Sequence, residues 1–243
     1  MVITFWPHPR TVLQKDARSL RLLTTLQEKT ALIRALGVDR VEVLDFSKEF
    51  SGLSCERYLR EVVRDRFGGT AVLLGYDNRI GSDCASQEQA VRTAERLGLE
   101  AIGCRAVDSD GLAVSSTRIR AALEEGDVVS ASAMLGRDYM LHGVVVAGNR
   151  LGRTIGFPTA NIQLYEPLKQ LPANGVYLVR VEVLGAQYDG MCNIGVRPTV
   201  ATGPHRTIET NIFDFNEDIY GLDMKISFIA RIREERRFYG LEA

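Results

Sequence analysis

Long hydrophobic runs are missing from this sequence: no apolar stretch approaches the ~20 residues that a membrane-spanning helix needs. The opening residues, Met1-Val2-Ile3-Thr4-Phe5, have no basic segment and no apolar core of the kind a signal peptide carries. Neither sign of charge is in excess. Thirty Lys and Arg stand against 31 Asp and Glu, a net charge of −1, which leaves no electrostatic footprint for nucleic acid. Cysteine is sparse: Cys55, Cys84, Cys104 and Cys192 are scattered, without a C-x-x-C pair. Scattered thiols in a chain without an export signal read as reduced cysteines of a cytoplasmic protein and argue against metal ligation. The three histidines, His8, His142 and His205, are too dispersed for a zinc site. No Ser/Pro/Gly-rich tract marks a long linker, and no internal repeat is evident. What remains is 45% hydrophobic and 25% charged over 243 residues, a globular composition with room for two domains.

The chain divides by pattern. Residues 2–5 read as a short buried strand stopped by Pro7 and Pro9. A helix is expected over 26–36 with Gly37 as its stop, then a strand at 40–44. Ser54 can cap a helix running to about Phe67, with Tyr58, Leu59, Val62 and Val63 as its apolar face. The continuous apolar run at 71–74 predicts a strand covered on both faces. Ser86 and Gln89 form a capping box ahead of a helix to Leu97, and the next strand lies within 99–107. Strands alternating with helices predict a parallel sheet. A last short helix over 128–135 ends at Gly136, where the domain boundary is placed, giving domains 1–136 and 137–243. Beyond it, alternating or β-branched runs recur at 141–146, 176–183, 188–193, 208–213 and 224–230, without a helix between them. That pattern predicts an antiparallel barrel. The fold class is therefore α/β plus all-β.

Two stretches carry candidate chemistry. The first is Gly148-Asn149-Arg150-Leu151-Gly152-Arg153-Thr154-Ile155-Gly156-Phe157-Pro158-Thr159-Ala160-Asn161. Its glycines permit tight turns and close approach to a ligand, and Arg150 and Arg153 supply fixed positive charge for phosphate oxygens. Thr159 and Asn161 sit two apart, so on an extended segment they share a face and offer hard oxygen ligands for Mg²⁺. The stretch is neither a Walker loop nor a dinucleotide fingerprint, and an ordinary glycine-rich turn before a solvated strand explains it equally well. The second stretch is Ser115-Ser116-Thr117-Arg118-Ile119-Arg120, a natural helix start, where hydroxyls and free N–H groups backed by arginine bind phosphate well.

Gly152-Arg153 followed by Gly156-Phe157-Pro158-Thr159-Ala160-Asn161 resembles the riboflavin kinase signature. Asn193-Ile194-Gly195-Val196-Arg197-Pro198-Thr199 and Glu209…Phe213-Asp214-Phe215 match later motifs of the same family, in order. The first half is similar to the family's FMN adenylyltransferase module, so the resemblance covers nearly the whole chain. It implies a Rossmann-like nucleotidyltransferase domain, incomplete at its start, followed by a riboflavin kinase barrel. It implies ATP and riboflavin or FMN as substrates and Mg²⁺ as cofactor; the balanced charge and the lack of a long apolar run lead to the further expectation of no nucleic-acid or membrane partner. Gly148, Arg150, Gly152, Arg153, Gly156, Pro158 and Thr159 would then bind ATP, and Thr159 with Asn161 would hold the metal. Glu209 matches the general base, although nothing intrinsic separates it from Glu182 or Glu217. Ser115, Ser116, Thr117 and Arg120 match a second nucleotide site. Asp77, Phe213 and Tyr220 are candidates for the flavin, with Phe215 beside them, and core packing is the competing use of these rings.

The sequence departs from the family pattern in three places. No His-x-Gly-His, the element that grips the nucleotide's phosphates, occurs anywhere in it. Asn78 and Ile80 stand where the family usually carries phenylalanine. Arg233-Glu234-Glu235…Phe238 matches only the start of the family's closing helix. The expectation is a riboflavin kinase whose adenylyltransferase activity is lost or impaired. The alternatives are a fully bifunctional enzyme with a mis-called start, and a non-catalytic flavin- or nucleotide-binding regulatory module.

Overall fold

The computed structural model describes residues 1–13, 20–109, 111–148, 158–199 and 203–235. The chain forms two compact units, residues 1–20 with 24–113, and residues 21–23 with 114–243.

The first unit is α/β. Strand β1 (Val2–Trp6) leads through the short helix α1 (Pro9–Leu13) and helix α2 (Leu26–Ala35) to β2 (Val41–Asp45). Short helices α3 (Lys48–Ser51) and α4 (Cys55–Arg57) run into a π-helical segment (Tyr58–Arg66), followed by β3 (Ala71–Leu74), α5 (Gln87–Arg96) and β4 (Glu100–Gly103). A small hairpin of β5 (Asp108–Ser109) and β6 (Leu112–Ala113) closes the unit. The helix starts follow local chemistry. Thr25 with Glu28 and Ser86 with Gln89 each form a reciprocal capping box, and Ser54 Oγ accepts from the Arg57 amide. The helix expected after Ser54 widens into π geometry from Tyr58, yet still buries Leu59, Val62 and Val63.

Pairing is parallel, as β1 with β2 and β3 with β4. Among the described residues no ladder joins β1 to β3, so there are two two-stranded sheets rather than one. The run at 71–74 departs from expectation. Leu74 is 2% exposed, but Leu73 is 66% exposed. Strand side chains alternate faces. One face of the β3–β4 pair packs on a cluster including Leu59, Val63, Ala90 and Ala94. The other leaves Leu73 and Ile102 exposed, so the continuous apolar run is covered on one face only.

The second unit begins with α6 (Ser116–Glu125) and α7 (Val128–Leu135). Strands β7 (Tyr139–Val146), β8 (Ala160–Leu164), β9 (Gly175–Val183), β10 (Ala186–Thr199), β11 (Gly203–Ile212) and β12 (Asp223–Arg233) follow. They close a barrel in the order β10-β11-β8-β7-β12-β9, antiparallel at every described ladder. Alternation puts one set of side chains inside, where Tyr177 and Phe228 meet edge to face at 5.2 Å among Leu141, Val179, Ile194 and Ile226. Helix α6 ends at Gly126 (φ +80°), where a Cβ would meet Tyr177 Oη and the Arg231 side chain. Arg231 Nη1 donates to the Glu125 carbonyl at 3.1 Å, tying that helix end to β12. Residues 21–23 lie along the barrel, where Lys169 Nζ donates to the Leu23 carbonyl at 2.8 Å and stands 4.8 Å from the Tyr139 ring.

Candidate functional site

The barrel register brings the sequence candidates together. Glu209 on β11 is paired with Asn161 on β8 and with Asn193 on β10. Residues directly opposed across antiparallel strands have Cβ atoms about 4.5–5.5 Å apart and share a face. Ile208 and Thr210, the neighbours of Glu209, are buried inside the barrel, so Glu209 lies half-buried on the outer face. Asn161, Glu209 and Asn193 thus form one row across three strands. Thr207 Oγ1, two residues along β11, donates to Glu209 Oε1 at 3.4 Å.

The glycine-rich stretch joins this row at its start. A Cβ on Gly148 would run into the Asn161 carboxamide, so the backbone approaches that side chain as only glycine allows. Arg150, Gly152, Arg153 and Gly156 lie outside the described residues. Pro158 and Thr159 lead into β8, and Asn211 Nδ2 fixes that approach by donating to the Pro158 carbonyl at 2.8 Å. Both residues line a cavity of about 350 Å³ walled by Val145, Thr210, Phe215 and Tyr220. Glu217 and Asp218 stand on the same lining. The cavity walls mix apolar side chains with Thr159, Thr210 and Asn216, and one side is acidic.

The other candidates fall apart from one another. Tyr220 lines the cavity, whereas Phe213 is 41% exposed and not part of it. Phe215 stands in the cavity wall instead, packed edge to face on Tyr188 at 5.0 Å. Asp77 is exposed on the turn after β3. Ser115 is the N-cap of α6, its Oγ accepting from the Arg118 amide at 3.3 Å, and Ser116 and Thr117 form the first turn. Arg120 Nε donates to the Arg21 carbonyl at 2.8 Å, so part of its guanidinium holds the 21–23 segment.

Two features escaped the motif reading. Burial pushes the Cys192 thiol, opposite Thr210 on β10, up to about 12. The second is a polar chain at the barrel end, in which Arg206 Nε donates to Asn174 Oδ1 at 2.9 Å and Asn174 Nδ2 to Glu235 Oε2 at 3.2 Å. Burial lowers the Arg206 guanidinium from its ordinary value. Both features join residues far apart in the chain, and no local signal announces them.

The described geometry is a carboxylate seated between two amides on the outer face of a closed antiparallel barrel, with Gly148 against one of those amides. The sequence profile of the riboflavin kinase family matches residues 135–243, and that of FAD synthetase matches residues 1–118. The bifunctional riboflavin kinase/FMN adenylyltransferase of Bacillus subtilis is 38% identical over 246 residues, covering 99% of this chain and 76% of the relative. The protein of that name from Escherichia coli K12 is 33% identical over 247 residues, covering 100% and 77%. A Streptococcus pneumoniae crystal structure, titled a macrolide-efflux protein, superposes with a TM-score of 0.90 at 32% identity, covering 99% of this chain and 78% of that one. The chain belongs to the bifunctional riboflavin kinase/FMN adenylyltransferase family, with an FAD synthetase domain followed by a riboflavin kinase domain. No helix among the described residues is long and apolar enough to cross a membrane.

Proposed function

We propose that this chain transfers the γ-phosphoryl group of ATP to the ribityl 5′-hydroxyl of riboflavin, giving FMN and ADP. The observation that carries the reading is the row Asn161–Glu209–Asn193. Glu209 accepts the hydroxyl proton as that oxygen bonds to the γ-phosphorus, while the bond from the γ-phosphorus to the bridging oxygen breaks and ADP leaves with that oxygen. Most of the barrier in such transfers is lowered by positioning and charge neutralisation. A base held on a rigid strand between two neutral amides suits that task.

The nucleotide has one sensible orientation. Glu217 and Asp218 repel phosphates, so the cavity they border takes the base. The phosphates then extend toward Thr159 and the loop of Gly148, Arg150, Gly152, Arg153 and Gly156. The Thr159 hydroxyl and the Asn161 amide oxygen fit Mg²⁺, a hard ion that takes oxygen ligands and shares them with phosphates. When bound, the ion neutralises charge on the phosphate oxygens. Phe213 and Tyr220 contact the riboflavin of the kinase, Tyr220 from the edge of the nucleotide cavity, and Asp77 serves a flavin bound by the first unit. Ser115, Ser116, Thr117 and Arg120 serve a second nucleotide; by function we divide the chain into an adenylyltransferase-like part, 1–136, and a kinase part, 137–243, although α6 packs with the second compact unit. We place the reaction in the cytoplasm, on free riboflavin and without a nucleic-acid or membrane partner, on the strength of the free thiols and the balanced charge.

The test is purified protein with riboflavin, ATP and Mg²⁺, separated by chromatography. FMN forming in proportion to ADP is the expected result. Tight riboflavin binding with no turnover would instead make the chain a flavin-binding regulatory module.

A further inference from the structure

Glu235 lies in the closing segment, which the proposed mechanism leaves without a chemical role. Gly195 stands two residues along β10 from Asn193, and its cross-strand partner is Thr207. Residues two apart on a strand share a face, so Gly195 continues the face that carries Asn193 and Glu209. A Cβ at Gly195 would strike the Glu235 carboxylate and come within 3.3 Å of Asn193 Nδ2. The carboxylate therefore rests on the bare backbone of Gly195, beside the Asn193 amide. Asn174 holds it from the other side, donating from Nδ2 to Oε2 at 3.2 Å, and is itself fixed by Arg206. Thr207, opposite Gly195, is hydrogen-bonded to Glu209.

We infer that Glu235 is a second carboxylate of the acceptor site, a positioning residue that receives hydroxyl hydrogens of the substrate's polyol chain; this rests on the kinase reading above. A carboxylate only accepts hydrogen bonds. Its fitting partner is a donor-rich group, and in riboflavin the polyol supplies several hydroxyls in a line. One row of residues lies about 7 Å from the next equivalent row along a strand. Glu209 can thus take the terminal hydroxyl while Glu235 holds another farther along the same chain. The glycine at 195 makes the room, and Asn174 with Arg206 sets the direction.

The experiment compares the parent protein with Glu235→Gln, Glu235→Asp and Gly195→Ala. Affinity for riboflavin and for lumiflavin, the same ring without the polyol, is read by flavin fluorescence, and affinity for ATP by calorimetry. A hydrogen bond to a charged group contributes more than one between neutral groups. Glu235→Gln is expected to weaken riboflavin about tenfold in Kd and KM, with kcat, lumiflavin affinity and ATP affinity within twofold. Glu235→Asp should recover part of the loss. Gly195→Ala should repeat the Gln phenotype by displacing the carboxylate. Equal loss for riboflavin and lumiflavin would assign Glu235 to the ring and overturn the inference, as would unchanged riboflavin affinity in both Glu235→Gln and Gly195→Ala. If the parent itself makes no FMN, the kinase reading falls, independently of these comparisons.

Discussion

Glu209 and Asn161 are cross-strand partners, 48 positions apart in sequence, in the short ladder that joins β11 to β8. The oxygen donor proposed for the metal and the carboxylate proposed as base therefore stand on one face at a spacing that the ladder fixes. Replacing Glu209 with Gln keeps the shape and removes the base. General base catalysis contributes about 10²–10⁴-fold, so kcat should fall by that amount with riboflavin affinity kept. A steady-state assay giving a kcat within threefold of the parent would take Glu209 out of the mechanism.

Thr159→Ala and Asn161→Ala each remove one oxygen donor from the proposed Mg²⁺ site. Each should raise the Mg²⁺ concentration for half-maximal rate about tenfold or more and weaken Mg-ATP binding. Gly148→Ala should behave like Asn161→Ala, because its methyl group would push the carboxamide aside. Magnesium titrations superimposable on the parent's in all three variants would remove the metal from this position.

The exposed face of β3 has a measurable consequence. Leu74 is 2% exposed and packs in the core of the first unit, whereas Leu73 is 66% exposed. Leu→Ala at a buried site costs about 2–5 kcal/mol, while surface changes usually stay within about 0.5 kcal/mol. Denaturant unfolding should therefore separate Leu74→Ala from Leu73→Ala by about 2 kcal/mol or more. Equal costs would mean that something covers Leu73 in solution.

How much of this could be read from the sequence depends on the range of each interaction. The Ser86–Gln89 box joins residues three positions apart, and five of the six barrel strands show by alternation or β-branched runs along themselves, so these were legible; the short β8, Ala160–Leu164, was not among those runs. An apolar run such as 71–74 tells that burial is available but not which face receives it, and Leu73 is the result. The row through Glu209 needed the register of three strands, which no local pattern encodes. Sequence alone left Glu209, Glu182 and Glu217 equivalent; in the fold their surroundings differ, with Glu209 between Asn161 and Asn193, Glu182 paired with Lys225 at 2.7 Å and Glu217 on the cavity border. The seat of Glu235 on Gly195 joins residues 40 positions apart and was invisible for the same reason.

Alkaline stability should report on Cys192. Burial holds its folded thiol near 12, against about 8.5 for a thiol in the unfolded chain. The folded state thus binds this proton more tightly. Its contribution is full below about pH 8.5 and drains away as pH rises toward 12, at about 1.4 kcal/mol per pH unit. Burial pushes Tyr58 up to about 12 as well, with the same sign above about pH 10. Cys192→Ala should flatten the fall in Tm between pH 8.5 and 10, and native protein should leave Cys192 unlabelled by maleimide while the exposed Cys84 reacts. An unchanged slope together with rapid labelling of Cys192 would show that the thiol is not held in this way.

The last prediction concerns the second nucleotide site. Adenylyl transfer from ATP to FMN builds negative charge on the α-phosphoryl group and the leaving pyrophosphate. Removing one donor that stabilises such charge costs about 10²–10³ in rate. No His-x-Gly-His occurs in these 243 residues. The remaining candidates are partly engaged elsewhere: Ser115 Oγ caps α6, and Arg120 Nε is bonded to the Arg21 carbonyl. Ser116 and Thr117 at the start of this helix can still hold a phosphate, so weak ATP binding is expected there. A protein of these 243 residues should therefore make FAD from FMN at least about a hundredfold more slowly than it makes FMN from riboflavin. Pyrophosphate release measured alongside FAD decides the matter, because binding without transfer releases none. FAD formation at a rate comparable to the kinase step would mean that other side chains of this chain grip the phosphates, with Arg118 the first to replace.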